Sequence, residues 1–161
     1  MKYHSVSWPR TVMGFDFGKA RIGVAIGQEI TATATPLAVV SVKNHRLNWQ
    51  IIDELIQQWQ PNLLVLGLPY HADGSANAVT EAALDFAHEL QNRYCLKVET
   101  IDEHLSSREA KQRISHAWEI SNRKYQHKHH IDSIDSVAAA LILESWFNQQ
   151  RTASPKQASC R

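Results

Sequence analysis

The sequence predicts an α/β fold in which a mixed, five-stranded sheet carries helices on both faces. Three observations support this prediction. A glycine-rich hairpin opens a series of three short strand-like segments, which indicates an antiparallel meander. Strand-like and amphipathic helical segments then alternate, which is typical of parallel strands joined by right-handed crossovers. The 161 residues, of which 43% are hydrophobic and 20% charged, suit one domain with a sizeable core.

The hairpin pairs a strand around Val12–Phe17 with a return strand at residues 22–27, across a turn at Gly18. The return strand alternates strictly: one side has Ile22, Val24 and Ile26, and the other has Gly23, Ala25 and Gly27. The second side has almost no side chains, so another backbone or a phosphate chain can come close to it. Asp16 lies on the side opposite Phe15 and Phe17, and Asp is disfavoured inside a strand. We therefore expect either a solvent-facing residue or a metal or phosphate site there.

The next elements follow in order. Residues 35–42 are rich in β-branched side chains and predict a third strand, with Pro36 at its start or on an edge. Apolar residues from Leu47 to Trp59 recur at helical spacing, and Pro61 lies just past the end of that helix. The continuous apolar run at residues 63–68 predicts a strand that is buried on both faces.

The second half alternates in the same way. A second helix is predicted over residues 79–90, and a fifth strand over residues 96–101. Ser106–Glu109 fits a capping box that opens a third helix, and a last helix runs from about Ile134 to Phe147. We expect one domain over residues 1–149 and a polar, disordered tail over residues 150–161.

The net charge, the cysteine content and the lengths of the apolar runs exclude several classes of protein. A net charge of only +1 excludes a global basic field, so any nucleic-acid contact must come from local patches. Cys95 and Cys160 have neither metal-ligand spacing nor the pattern of a disulfide framework. No apolar run reaches membrane-spanning length, and the N-terminus lacks the apolar core of a signal peptide. We expect a soluble protein of the cytoplasm, without a membrane partner.

Acidic residues fall at the ends of the predicted elements. They are Asp16 in the first strand, Asp102 and Glu103 after the fifth strand, and Asp132 and Asp135 at the start of the last helix. Functional residues of α/β sheets collect at such ends. Carboxylates that converge there would suit Mg²⁺, which can activate water against a phosphodiester. Each also has a structural explanation: Asp132 as the helix N-cap, Asp135 as a partner of the helix dipole, and Asp102 as a turn residue.

Four ordered motifs occur along the chain. The first is residues 14–26, Gly-Phe-Asp-Phe-Gly-Lys-Ala-Arg-Ile-Gly-Val-Ala-Ile. The second combines Leu66–Pro69 with Asp73–Ser75, and the third is residues 102–110, beginning Asp-Glu-His-Leu-Ser-Ser. The fourth is Ile134–Leu143, which contains Asp-x-x-Ala-Ala. Together the motifs span residues 13–147, and they resemble, in the same order, those of the YqgF/RuvX family of pre-16S ribosomal RNA nucleases.

The resemblance implies an RNase H-like fold and phosphodiester hydrolysis that depends on a divalent cation, Mg²⁺ or Mn²⁺. Carried over by position, it implies Asp16, Glu103 and Asp135 as catalytic and metal-binding residues. Asp132 completes Asp-Ser-Ile-Asp, which is similar to the doubled acid of RuvC Holliday-junction resolvases, and is a possible fourth metal ligand. The chain departs from the family pattern at His104, where the family has an arginine. A histidine is mostly neutral at pH 7, which puts substrate binding in doubt more than the metal site.

Basic residues near these acids are candidates for contact with substrate. Lys19 and Arg21 lie at the hairpin turn, Arg108 lies on the predicted third helix beside His104, and Lys124 belongs to the basic stretch 123–130. That stretch includes Tyr125 and could contact phosphates and stack a base, or could be a solvated loop. Its three histidines, His127, His129 and His130, lack the partner cysteines of a transition-metal site.

The leading hypothesis is a metal-dependent endonuclease that acts on structured RNA, by resemblance the precursor of 16S ribosomal RNA, free or on the ribosome. Branched DNA is an alternative substrate, because the same metal chemistry serves either backbone. A non-catalytic nucleic-acid-binding module is a second class, although the acidic set is present. An ATP-dependent phosphotransferase is a third class. Such enzymes also open with an Asp-x-Gly hairpin, but they hold nucleotide between two domains, whereas we predict one here. The sequence leaves the oligomeric state open.

Overall fold

A computed structural model describes residues 9–69, 78–103 and 133–153. Six strands form one sheet in the order β4-β3-β2-β1-β5-β6. Their bounds are β1 Thr11–Asp16, β2 Arg21–Gln28, β3 Thr33–Lys43, β4 Arg46–Leu47, β5 Leu63–Pro69 and β6 Val98–Glu103. The helices are α1 Trp49–Trp59, α2 Ala78–Tyr94 and α3 Ser133–Ala153.

The strand directions confirm the predicted mixed sheet. β1, β2, β3 and β4 pair antiparallel in succession, whereas β5 is parallel to both β1 and β6. β1 is therefore the point at which the meander meets the parallel half of the sheet. Asp16 is its last residue, and it lies between Gly23 of β2 and Gly67 of β5 in the register.

The prediction of five strands was wrong by one short strand. β4 comprises only Arg46 and Leu47, and a two-residue turn at Asn44 and His45 joins it to β3. Both turn residues have positive φ, as a tight hairpin of this hand requires. Asn-His is a weaker sequence signal for this turn than Asn-Gly, because His adopts positive φ at a steric cost. Leu47 therefore belongs to β4 rather than to the face of α1.

Helix ends differ from the predicted ends in instructive ways. α1 begins at Trp49 and ends before Gln60, whose left-handed backbone lets its N–H donate to the carbonyl of Ile56 just ahead of Pro61. α3 continues to Ala153, so residues 150–153 are helical and do not belong to a tail. The predicted helix that opens at Ser106 lies outside the described residues. Within the described segments, no helix is both long enough and apolar enough to cross a membrane.

The sheet has two differently packed faces. On the α1/α2 face, large residues such as Phe15, Ile22 and Leu66 pack against both helices. On the α3 face, Val12, Ala25 and Val65 pack against the small and apolar side chains of α3, among them Ala139, Ala140 and Leu143. The strict alternation along β1 and β2 produces this division, as predicted.

Candidate functional site

Asp16 is buried at the end of β1, with only 5% of its surface exposed. It is directly opposite Gly23 of β2 and in register with Gly67 of β5. Residues paired in this way share a face of the sheet, so Asp16 lies on the α3 face with a glycine on each side. A solvent-facing Asp16 is therefore excluded.

The glycines of the hairpin bring α3 into contact with the sheet. A Cβ added at Gly23 would overlap the carbonyl oxygen of Asp135, so the first turn of α3 rests directly on the β2 backbone. Farther along, Gly14 lies against Leu143 and Gly27 lies against the ring of Phe147. The bare face was predicted to admit a backbone or a phosphate chain, and the backbone of α3 takes that place. Asp135 thereby reaches the end of the sheet where Asp16 lies.

Asp135 is held by an ion pair with Arg21. The Nε atom of Arg21 lies 3.0 Å from Oδ2 of Asp135, with side-chain exposures of 47% and 25%. Arg21 begins β2 and Asp135 lies in the first turn of α3, so the pair joins the sheet to the helix at the candidate site. Both residues were singled out from the sequence, but their pairing was not foreseen because they are far apart in the chain.

The end of β6 brings a third acidic position to the same edge. The backbone of Glu103 pairs with Pro69, two residues beyond the pair of Gly67 and Ile101. Asp102 is an exposed strand residue, so its interpretation as a turn residue was wrong. The side chain of Glu103, and all of Asp132, His104, Arg108 and Lys124, lie outside the described part of the chain.

The carboxylates fit a hard divalent cation by their chemistry. Asp16 and Asp135 offer oxygen donors from separate elements at one edge, and Mg²⁺ and Mn²⁺ prefer such donors. Over residues 9–69, 78–103 and 133–153, no three His, Cys, Asp or Glu side chains are grouped closely enough to hold a metal. The described residues therefore supply two candidate ligands, and a complete site requires a further donor.

Lys19 belongs to the hairpin turn but lies away from the ion pair of Arg21 and Asp135. It lines a cleft of about 570 Å³ on the α1/α2 face, together with His45, Arg46, Asp85 and Glu89. The structure thus separates two cations that are neighbours in sequence, since Arg21 contacts Asp135 on the α3 face. Sequence reasoning missed the cleft, because its walls come from distant elements and no motif joins them.

Sequence comparison identifies relatives along almost the whole chain. The sequence profile of the RuvX family, described as Holliday junction resolvase, matches residues 10–149. A protein of Nitrosococcus oceani named "Putative pre-16S rRNA nuclease" is 43% identical over 148 residues, which are 92% of this chain and 93% of that protein. A protein of Proteus mirabilis with the same name is 44% identical over 141 residues, 88% of this chain and 97% of its own.

Structural comparison agrees at the level of the fold. The RuvC protein of T. thermophilus, solved in complex with a Holliday junction substrate, aligns with a TM-score of 0.54 at 13% identity. That alignment covers 88% of this chain and 96% of RuvC. The Holliday junction resolvase of fowlpox virus aligns with a TM-score of 0.55 at 16% identity, over 86% of this chain and 99% of the viral protein. The mixed sheet with helices on both faces is therefore the architecture of these resolvases.

Proposed function

The chain belongs to the RuvX family, and from this premise we propose that it is a metal-dependent endonuclease of RNase H-like fold that cuts the precursor of 16S ribosomal RNA. One observation carries the proposal. Gly23 lets the first turn of α3 contact β2, which brings Asp135 to the strand end where Asp16 is buried. Relatives about 43% identical to this chain are named for that substrate. We place the reaction in the cytoplasm and in one domain that extends through α3.

The proposed catalytic residues are Asp16, Glu103 and Asp135, with Asp132 as a possible additional metal ligand. Glu103 is the last residue of β6, and its backbone pairs with Pro69 at the same edge of the sheet. Mg²⁺ or Mn²⁺, when bound by these carboxylates, would supply charge stabilisation at the phosphodiester. The carboxylate of Asp16 is the proposed central ligand, because it is buried at the end of β1, in register with Gly23 and Gly67.

Arg21 has a proposed dual role. Its guanidinium now holds the carboxylate of Asp135 in position. The same guanidinium would be placed to bind a substrate phosphate bidentately, beside the carboxylates that would hold the metal. His104, Arg108 and Lys124 remain proposed substrate contacts, as does Lys19.

The test is cleavage of a 16S precursor RNA and of a four-way DNA junction, with Mg²⁺ or Mn²⁺ and with chelator. Asp16→Asn and Asp135→Asn should each abolish cutting. Asp102→Asn is the matched control, because Asp102 is exposed and pairs with Leu68 of the α1/α2 face. Cutting that survives in either of the first two variants contradicts the mechanism.

Metal binding gives a readout that does not depend on activity. Titration calorimetry with Mn²⁺ should show weaker binding by Asp16→Asn and tighter binding by Arg21→Gln, because the latter removes a cation that competes for Asp135. Arg21→Gln should also raise the KM for substrate. Unchanged Mn²⁺ affinity in Arg21→Gln would contradict the dual role.

The cleavage assay also separates the alternative substrates and the non-catalytic alternative. The family description favours branched DNA as the second candidate substrate, and preferential cutting of the junction would establish it. Binding of either nucleic acid without cutting, in the wild type with Mn²⁺, would favour a non-catalytic module instead.

A further inference from the structure

The cleft on the α1/α2 face lies apart from the carboxylates described above, and of the proposed substrate contacts Lys19 lines it. Its volume of about 570 Å³ lies within the usual range for small-ligand sites. We propose that this cleft binds an unpaired nucleobase of the nucleic-acid strand that the nuclease site cuts, with a preference for bases that carry an exocyclic amino group. This inference rests on the proposed function and names a specificity pocket for it.

The floor of the cleft is aromatic. Half-buried Phe17 and Trp49 line it, and both pack on the buried ring of Phe86, with ring centroids 5.6 Å and 5.7 Å away. Arg93 lies over Trp49, 5.0 Å from the ring centroid, and fixes that ring further. These contacts hold the two half-buried rings in place, so the parts of them that border the cleft offer a rigid aromatic surface to an unstacked base, whatever its identity.

One wall of the cleft is cationic. Two exposed cations line it, Lys19 from the turn after β1 and Arg46 from the β3–β4 hairpin, and exposed His45 precedes Arg46 in that hairpin. The position of Arg46 is fixed by its pairing with Lys43 across the two-residue turn. These side chains suit the phosphates of a passing strand.

The opposite wall is acidic. Asp85 and Glu89 are exposed, and because they are four residues apart on α2 they share a helical face. Carboxylates repel phosphate, so the backbone of a bound strand must follow the cationic wall. They accept hydrogen bonds from the exocyclic amino groups of cytosine, adenine and guanine, whereas uracil presents none. The charges therefore orient a base with its edge towards α2.

The cleft adjoins the proposed catalytic site along the chain. Phe17, Gly18 and Lys19, which line it, follow directly after Asp16. These residues lead around the end of β1 from the α3 face to the α1/α2 face, and even fully extended they would span at most about 10 Å. A strand cut beside Asp16 thus has the cleft within reach of a neighbouring nucleotide.

The experiment uses the full chain carrying Asp16→Asn, in chelator, so that no substrate is cut. Fluorescence anisotropy measures the binding of labelled hexamers of cytidine and of uridine. The cytidine hexamer should bind at least about fivefold more tightly, the lower end of the range for one base-specific contact. Adding Asp85→Asn and Glu89→Gln should reduce this preference to less than about twofold, because an amide can also donate to uracil.

A second pair of substitutions tests the cationic wall. Lys19→Gln with Arg46→Gln should weaken the binding of both hexamers to the same extent. It should also reduce the slope of log affinity against log salt by about 1.4, the value for two phosphate contacts of a single strand. Lys97→Gln and Glu54→Gln are the matched controls, since both residues are exposed and lie outside the cleft, and they should change neither quantity.

Equal affinity for the two hexamers, a preference that survives the acidic double substitution, or no binding at all would each overturn the inference. These failures are distinguishable from failure of the proposed function. If the wild type cuts precursor RNA but the Asp16→Asn variant binds both hexamers equally, the nuclease site is present and the base pocket is not. Preference for cytidine in a protein that cuts nothing supports the pocket and overturns the nuclease proposal.

Discussion

The two faces of the sheet are built from the same strands in opposite ways. On the α1/α2 face, large side chains lie between the helices and the strands. Aromatic rings occupy part of this space, and the rest is an open cleft. On the α3 face, Gly14, Gly23 and Gly27 let the helix lie against the strand backbone. Because a Cβ at Gly23 would overlap the carbonyl oxygen of Asp135, the start of α3 cannot lie any closer to β2, and this contact sets the position of the two proposed ligands Asp16 and Asp135. Both faces bury apolar side chains, but only the α3 face places a helix backbone directly against a strand.

Removal of the central aromatic side chain on the α1/α2 face should have the largest effect on stability. Phe86 contacts Phe15, Phe17 and Trp49, with ring centroids 5.6 Å to 5.7 Å apart. Phe86→Ala should lower the free energy of unfolding by about 3–5 kcal/mol, measured by urea denaturation. Leu84→Ala, at an exposed position of the same helix, is the control. A loss below about 1 kcal/mol would show that this face is not the main source of stability.

A methyl group at Gly23 should affect activity more than stability. Gly23→Ala places a Cβ against the carbonyl of Asp135 and must displace α3, at a cost of about 1–3 kcal/mol. Cleavage per folded molecule should fall at least tenfold, because roughly 1 Å of displacement can cost about a hundredfold. Gly14→Ala is the matched control, because the nearest atoms to its Cβ belong to the buried side chain of Leu143, about two helical turns after Asp135; it should lower stability but leave cleavage per folded molecule nearly unchanged. Equal activity in the two variants would mean that α3 does not position the site.

On the α1/α2 face, an ion pair between α1 and α2 should make part of the protein's stability depend on pH. Arg93 and Tyr94 donate hydrogen bonds to Asp53, and they lower the pKa of its carboxyl from 3.8 to about 2. A lowered pKa stabilises the fold above the unfolded value, and this stabilisation is lost as pH falls from about 4 to 2. Asp53→Asn should lower Tm by no more than a few degrees at pH 7, because water reaches nearly half of each side chain of the pair and screens its charges.

That difference in Tm should shrink below pH 4 and at high salt. A difference that is constant between pH 7 and pH 2 would show that Asp53 acts through packing rather than charge.

The α3 face contains a carboxyl group whose pKa is shifted the other way. Burial raises the pKa of Glu144 above 4.5, so its ionisation at neutral pH opposes folding. Glu144→Gln should raise the free energy of unfolding by about 0.5 kcal/mol at pH 8. The gain should vanish below the unfolded pKa, where the glutamic acid is protonated in both states. Thermal melts at pH 8 and pH 4 test this, with exposed Glu54→Gln as the control; destabilisation at pH 8 would contradict it.

Strand alternation and helical spacing predicted most of the fold. Ile22, Val24 and Ile26 were assigned to one face and Gly23, Ala25 and Gly27 to the other, and the structure confirms this division. β4 escaped prediction because two residues carry no periodicity and their turn lacks glycine. The end of α3 escaped because its last residues are polar and their helical state depends on continuation from the turns before them.

The sequence by itself determined the family, the mixed sheet and the acidic positions, because these follow from local patterns and from ordered motifs. Only the tertiary structure decided that α3 fills the glycine face, that Arg21 pairs with Asp135, and that Lys19 turns to a cleft with Arg46 and Asp85. Contacts of this kind join residues tens of positions apart. Their energies depend on how the strands and helices meet, and no short-range pattern in the sequence records that geometry.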